Sequence, residues 1–194
     1  KSEILGGTLC GIFLFTASLL QQIGIANTDT AKASFITALY VVIVPIYSLV
    51  FGKRSPVNVW ISVIIAMVGF YLLCIGEGFT LLFADIIILA CAFVFAMQII
   101  CVDKCLLTCE PIRLSFVQFL TTALLSLVFA LIFESPIDFG KILKYFPELL
   151  FLGIGSSGIA YTCQIIGQRS TPAPVATIIL SLESVFGALS GAIF

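Results

Sequence analysis

Few side chains in this sequence can carry charge, protons or a metal. The 194 residues hold nine basic and ten acidic side chains, seven cysteines and no histidine. Lacking histidine, the chain cannot build a Ser-His-Asp triad, an imidazole general base or an imidazole zinc site. Its apolar runs contain no His-Glu zinc motif, no paired aspartate of the GxGD type and no Ser/Lys pair, so an enzyme is not expected. The near-even charge balance argues against a nucleic-acid partner, which demands a basic surface. Cys101, Cys105 and Cys109 recur every four residues and would share one helical face. Three soft ligands suit a metal, but no fourth lies nearby in sequence. Ordinary packing of reduced thiols is expected, with no metal or cofactor.

The polar residues inside apolar runs are more informative. A charged group at the bilayer centre costs about 2.5–3.5 kcal/mol, so each one needs a reason. Glu183 alone among the charged residues falls near the middle of such a run. It can act as a proton-titrating group, as a partner for a substrate amine, or as a protonated hydrogen-bond donor to a neighbouring helix. Ser157, Tyr161, Gln164 and Gln168 step by four, three and four, and Ser115, Gln118, Thr122 and Ser126 by three, four and four. Lipid cannot satisfy a polar stripe, so each must face protein or water. We expect the Tyr161–Gln164 stripe to line a cavity and the Ser115 stripe to pack. Asp85 reads as a hydrated residue at a helix start rather than an ion ligand.

These residues sit in a chain that is 61% apolar and only 10% charged, with a mean hydropathy of +1.24. A soluble domain of this size could not hide so much apolar surface. The chain reads as an all-α integral membrane protein. Seven segments reach the roughly 20 apolar residues that a spanning helix needs: about Ile4–Ala26, Ala31–Phe51, Val57–Ile75, Phe79–Val102, Ile112–Phe133, Leu149–Gly167 and Val175–Phe194. The connections are short turns, the longest being Glu134 to Glu148, with room for a short interfacial helix. Gly7/Gly11, Gly187/Gly191 and the Gly153–Gly158 run read as slim packing faces. Trp60, Tyr47, Tyr71 and Tyr145 read as interfacial anchors or core. Lys1, Lys53, Arg54, Lys104, Arg113 and Arg169 fall on one side of the membrane, and Lys32, Lys141 and Lys144 on the other. This bias places the N-terminal end in the cytoplasm.

The chain also resembles itself. An offset of 143 lays Leu9, Ala17, Gln21, Ile23, Gly24, Thr28, Ala33, Ile36 and Leu39 on Leu152, Ala160, Gln164, Ile166, Gly167, Thr171, Ala176, Ile179 and Leu182. The offset carries the first span onto the sixth, five helices later, and an odd step reverses the direction of crossing. Inverted repeats of this kind place their sites near the midplane. The expectation is a ten-helix, 5+5 arrangement of which this chain holds helices 3–9. Residues 1–76 would be the remainder of the first repeat and 77–194 the second. Lys1 is no initiator methionine and Phe194 ends within an apolar run, so a trimmed piece is expected. The same offset pairs Glu183 with Tyr40.

The runs Gln21–Gly24, Phe35–Pro45, Gly158–Tyr161, Gln164–Gln168 and Ser181–Gly187 resemble the EamA-type permeases of the drug/metabolite transporter superfamily. That family often has proline directly after the glutamate, where this chain has Ser184. The resemblance implies a secondary transporter of the plasma membrane, of the bacterial inner-membrane kind. It would move small metabolites, amino acids or drugs by alternating access, with proton exchange as a candidate driving reaction. Expected partners are a small-molecule substrate and the lipid bilayer, and no feature assigns an oligomeric state. Glu183, Tyr40, Thr37, Tyr161, Gln164 and Gln21 are the expected substrate-binding residues, with Gln21 and Gln164 near opposite mouths as gates. A channel or a non-transporting membrane scaffold is the alternative, although neither rings of charge nor a repeated filter sequence is present.

Overall fold

A computed structural model describes residues 2–28, 30–50, 52, 55–74, 82–133, 139–183 and 186. Among these residues there is helix and no strand. The helices are α1 (Ser2–Ile25), α2 (Thr30–Ala38), α3 (Tyr40–Val50), α4 (Val57–Cys74), α5 (Phe83–Cys105), α6 (Pro111–Phe133), α7 (Phe139–Lys144), α8 (Phe146–Leu150), α9 (Tyr161–Gln168) and α10 (Ala173–Leu180). A π-helical segment, Phe151–Ala160, joins α8 to α9. Five stretches are long and apolar enough to cross a membrane: Ser2–Ile25, Lys32–Val50, Phe83–Cys105, Pro111–Phe133 and Phe146–Gln168, with Val57–Gly69 shorter. Half of the seventh expected span, Val175–Phe194, lies outside the described residues. Leu124, Leu127, Val128, Leu131 and Ile132 of α6 all stand exposed, as side chains meant for lipid do.

The chain forms two compact units. The first contains residues 1–15 and 101–170. Its core gathers Cys10, Val102, Leu106, Cys109, Leu114 and Ile165. Small residues let α1 approach α6 closely, as the Gly7/Gly11 spacing predicts. A Cβ on Gly7 would sit 2.6 Å from Val117 Cβ, and one on Gly11 2.7 Å from both the Gln118 carbonyl and Thr121 Cβ. Thr122 then donates across the contact to the Gly11 carbonyl at 3.1 Å. Ser115 donates to the Pro111 carbonyl at 2.9 Å. The packing role expected for this stripe therefore holds at Thr122, which bonds across to α1, whereas Ser115 bonds within α6. Because the backbone and branched atoms facing Gly11 cannot swing aside, we expect Gly11→Ala to cost about 1–3 kcal/mol. Equilibrium unfolding of the purified protein in mixed detergent micelles measures it; an unchanged midpoint would contradict the close approach.

The slim face expected at Gly153–Gly158 is corrected by the structure. The π-helical segment buries no residue among those described, and a Cβ on Gly153 would meet nothing within 4 Å. A run of small residues permits close packing without requiring it. Gly187 and Gly191 lie outside the described residues.

The second unit contains residues 16–100 and 171–194. Helix α3 packs on α10 and α5 through Ile43, Val44, Ala92, Ala96, Ile99, Ile100 and Ala173, with Tyr40, Tyr47 and Leu180 against them. It meets α4 through Val41, Val59 and Val63, against which Tyr40, Val42, Met67, Val175 and Ile178 pack. Tyr40 thus belongs to both clusters. Gly24 admits Ile88 where a Cβ would collide with it.

Candidate functional site

The second expected span, which the structure gives as Lys32–Val50, is irregular at one residue. Helix α2 stops at Ala38, Leu39 forms a turn, and α3 starts at Tyr40. At the turn the Leu39 N–H donates to the Ile36 carbonyl at 3.2 Å, and the Val42 N–H to the Leu39 carbonyl at 2.9 Å. These i→i−3 bonds mark a locally tightened helix. Five residues on, Pro45 removes the N–H that would bond the Val41 carbonyl and weakens the helix further.

Thr37 stands at this irregularity, and its Oγ1 is buried with no hydrogen-bond partner among the described residues. Other threonines satisfy themselves by donating to the carbonyl one turn back: Thr121 to Val117 at 2.8 Å, Thr122 to Gln118 at 3.0 Å and Thr162 to Gly158 at 2.6 Å. A buried hydroxyl without a partner costs about 1–3 kcal/mol. Such a group is kept where water or a ligand completes it.

A second, slighter irregularity lies near the matching position, where Ser181 keeps α-helical dihedrals (φ −62°, ψ −18°) and its N–H still donates to the Thr177 carbonyl at 3.0 Å. Helix α10 ends at Leu180, Ser181 forms a turn, and residues 182 and 183 resume the helix. The Ser181 hydroxyl donates to the Ile178 carbonyl at 2.6 Å. Under the offset of 143, Ala38 and Leu39 fall on Ser181 and Leu182. The two irregularities coincide to within one residue, and the helices that carry them pack together. Glu183 is exposed on the turn after the second. Gln21 is half-buried on α1. Gln21, Thr37, Tyr40 and Glu183 therefore all belong to the second unit.

Beside this pair, Phe35, Val42, Trp60, Val63, Met67 and Tyr71 border a cavity of about 440 Å³ with apolar and aromatic walls. Trp60 and Tyr71 thus line a cavity, and Tyr47 lies against the core. Tyr145 is half-exposed with the Lys144 ammonium 5.3 Å from its ring.

Tyr161 and Gln164 lie in the first unit. Both are half-buried, and the Tyr161 ring meets Phe119 edge-on at 6.4 Å. Gln168 is 4% exposed, with neither end of its amide partnered among the described residues. Ser157 departs from this stripe and is exposed. It lies in the π-helical segment, whose i→i+5 pattern rotates its face away from the α-helical spacing.

Asp85 corrects the expectation of a hydrated residue. It is 2% exposed, and one carboxylate oxygen, Oδ2, accepts from Lys32 Nζ at 2.5 Å and from the Leu82 N–H at 2.6 Å. Thr28 Oγ1 donates to the other at 2.9 Å. Asp85 is the third residue of α5 and closes back on the residue before the helix, which is half of a capping box. The favourable end of the helix dipole adds to this. Sequence reading missed the partner because Lys32 lies 53 positions away, and no spacing rule connects them.

Residues 82–194 match the EamA-like transporter family. An uncharacterized transporter of Archaeoglobus fulgidus is 32% identical over 188 residues, which cover 94% of this chain and 58% of that protein. The chain thus spans a little over half the length of that relative. No solved structure is significantly similar to it. With more than half of its residues inside the family match and five helices fit to span a bilayer, the chain is a multi-pass membrane protein and belongs to the EamA-like transporter family.

Proposed function

We propose that the protein is a secondary transporter whose solute passes the paired irregularities of α2/α3 and α10. The observation that carries this reading is the buried, unpartnered Thr37 hydroxyl at the first of them. Interrupted helices at matched repeat positions are how many transporters expose backbone and polar groups to a solute at mid-membrane depth. In this reading Thr37 and Tyr40 contact the solute, and Glu183 exchanges a proton or meets a cationic group. Tyr161, Gln164 and Gln21 complete the substrate-facing set, with the two glutamines gating opposite mouths. The apolar cavity beside Phe35 suits a solute with an apolar or aromatic part. The described helices take positions 3–9 of a ten-helix inverted repeat divided near residue 76. The N-terminal end lies in the cytoplasm of a cell whose plasma membrane holds the protein, and no step requires an enzyme or a cofactor.

Thr37→Val tests this directly, since it keeps the shape and removes the hydroxyl. If the hydroxyl serves the solute, the variant holds or gains stability, by up to about 1 kcal/mol. Its KM for solute flux rises several-fold in proteoliposomes of the full-length protein. Unchanged flux would overturn the assignment. Gln21→Leu and Gln164→Leu should each change transport rate and the balance of inward and outward accessibility; unchanged values for both would remove the gating role.

A further inference from the structure

The sulfur atoms of Cys10, Cys101 and Cys105 all lie within 4.8 Å of one another, and the Cys10 thiol donates to Cys101 Sγ at 3.3 Å. All three belong to the first unit. Cys101 and Cys105 are one turn apart at the end of α5 and share a face. Cys10 comes to them on α1, whose Gly6 leaves space for the third sulfur: a Cβ there would sit 2.8 Å from Cys105 Sγ. The expected trio of Cys101, Cys105 and Cys109 is not the one that forms. Helix α5 ends at Cys105, and Cys109 lies beyond the following turn.

We propose that Cys10, Cys101 and Cys105 form a binding site for a soft monovalent cation, copper(I) foremost. A trigonal site with metal–sulfur bonds of about 2.3 Å has its sulfurs about 4.0 Å apart, within the range these atoms already span. The cluster contains sulfur donors alone, which select copper(I) over harder ions. Zinc takes a fourth ligand to complete its tetrahedron. Cys10 is fully buried, and Cys101 and Cys105 are half-buried. On binding, each ligating thiol gives its proton to water and no electron moves. The bound ion joins the first half of α1 to the last turn of α5. This site is independent of the solute pathway proposed above.

The test titrates the reduced full-length protein with copper(I), supplied anaerobically as its acetonitrile complex, against a chromogenic copper(I) chelator. One ion per chain is expected, with three sulfur neighbours in the X-ray absorption spectrum and no displacement by an equal amount of zinc(II). Cys105→Ser and Cys101→Ser should each weaken binding at least tenfold, whereas Cys91→Ser and Cys163→Ser leave it unchanged. No retained copper, or fewer than three sulfur neighbours in the unsubstituted protein, would overturn the site. So would undiminished binding by Cys105→Ser. A Cys10–Cys101 disulfide formed under mild oxidant in protein that binds no copper would reassign the cluster as a redox pair.

Discussion

Asp85→Ala is expected to destabilise the protein by about 3–5 kcal/mol, the range for leaving one partner of a buried ion pair without the other. Asp85 is 2% exposed and the Lys32 side chain 15%, so water can solvate the survivor only in part. The same substitution strands the Leu82 N–H and the Thr28 hydroxyl, both of which donate to this carboxylate. Asp85→Asn keeps an acceptor while removing the charge, and should fall between wild type and Asp85→Ala. Replacing both ends, as Lys32→Met with Asp85→Leu, should recover most of the loss, because an apolar pair leaves no buried charge behind. Detergent-titrated unfolding of wild type, Lys32→Met, Asp85→Leu and the double variant forms the cycle. If Lys32→Met and Asp85→Leu proved additive, the two groups would not be coupled.

The second large effect concerns transport. Glu183→Gln should lower proton-driven solute flux at least tenfold with little change in unfolding midpoint. The carboxylate stands on the turn after the α10 irregularity and makes no ion pair among the described residues. In the proposed mechanism its role is to exchange a proton or to meet a cationic solute. Glutamine keeps the shape and hydrogen-bonding capacity but cannot exchange a proton, so solute exchange without net proton movement should survive better than proton-driven uptake. A variant that kept full proton-driven flux would remove Glu183 from the mechanism. One that lost its fold would make the residue structural.

Much of the helical layout was legible in sequence because a spanning helix announces itself by length and apolarity. The expected Ile112–Phe133 and Val57–Ile75 spans fall within a residue of α6 and α4. The close approach at Gly7 and Gly11 was legible for a similar reason, since small-residue spacing is a local signal. The Leu39 irregularity was not: Thr37 to Tyr40 lie inside an unbroken apolar run, and the proline that could hint at it comes five residues later. The Lys32–Asp85 pair and the Cys10–Cys101–Cys105 cluster join residues 53 to 95 positions apart, which only packing brings together. The Tyr161 stripe was read with α-helical spacing, and the π-helical segment moved Ser157 off it. Of its neighbours, Tyr161 and Gln164 are half-buried and Gln168 is buried.

Solute flux through the full-length protein in proteoliposomes, measured with and without a pH gradient while membrane current is recorded, bears most directly on the proposed transport. Uptake that saturates with solute concentration, responds to the gradient and falls in Thr37→Val and Glu183→Gln is the predicted result. An ion current that rises without saturation and ignores both substitutions would contradict it.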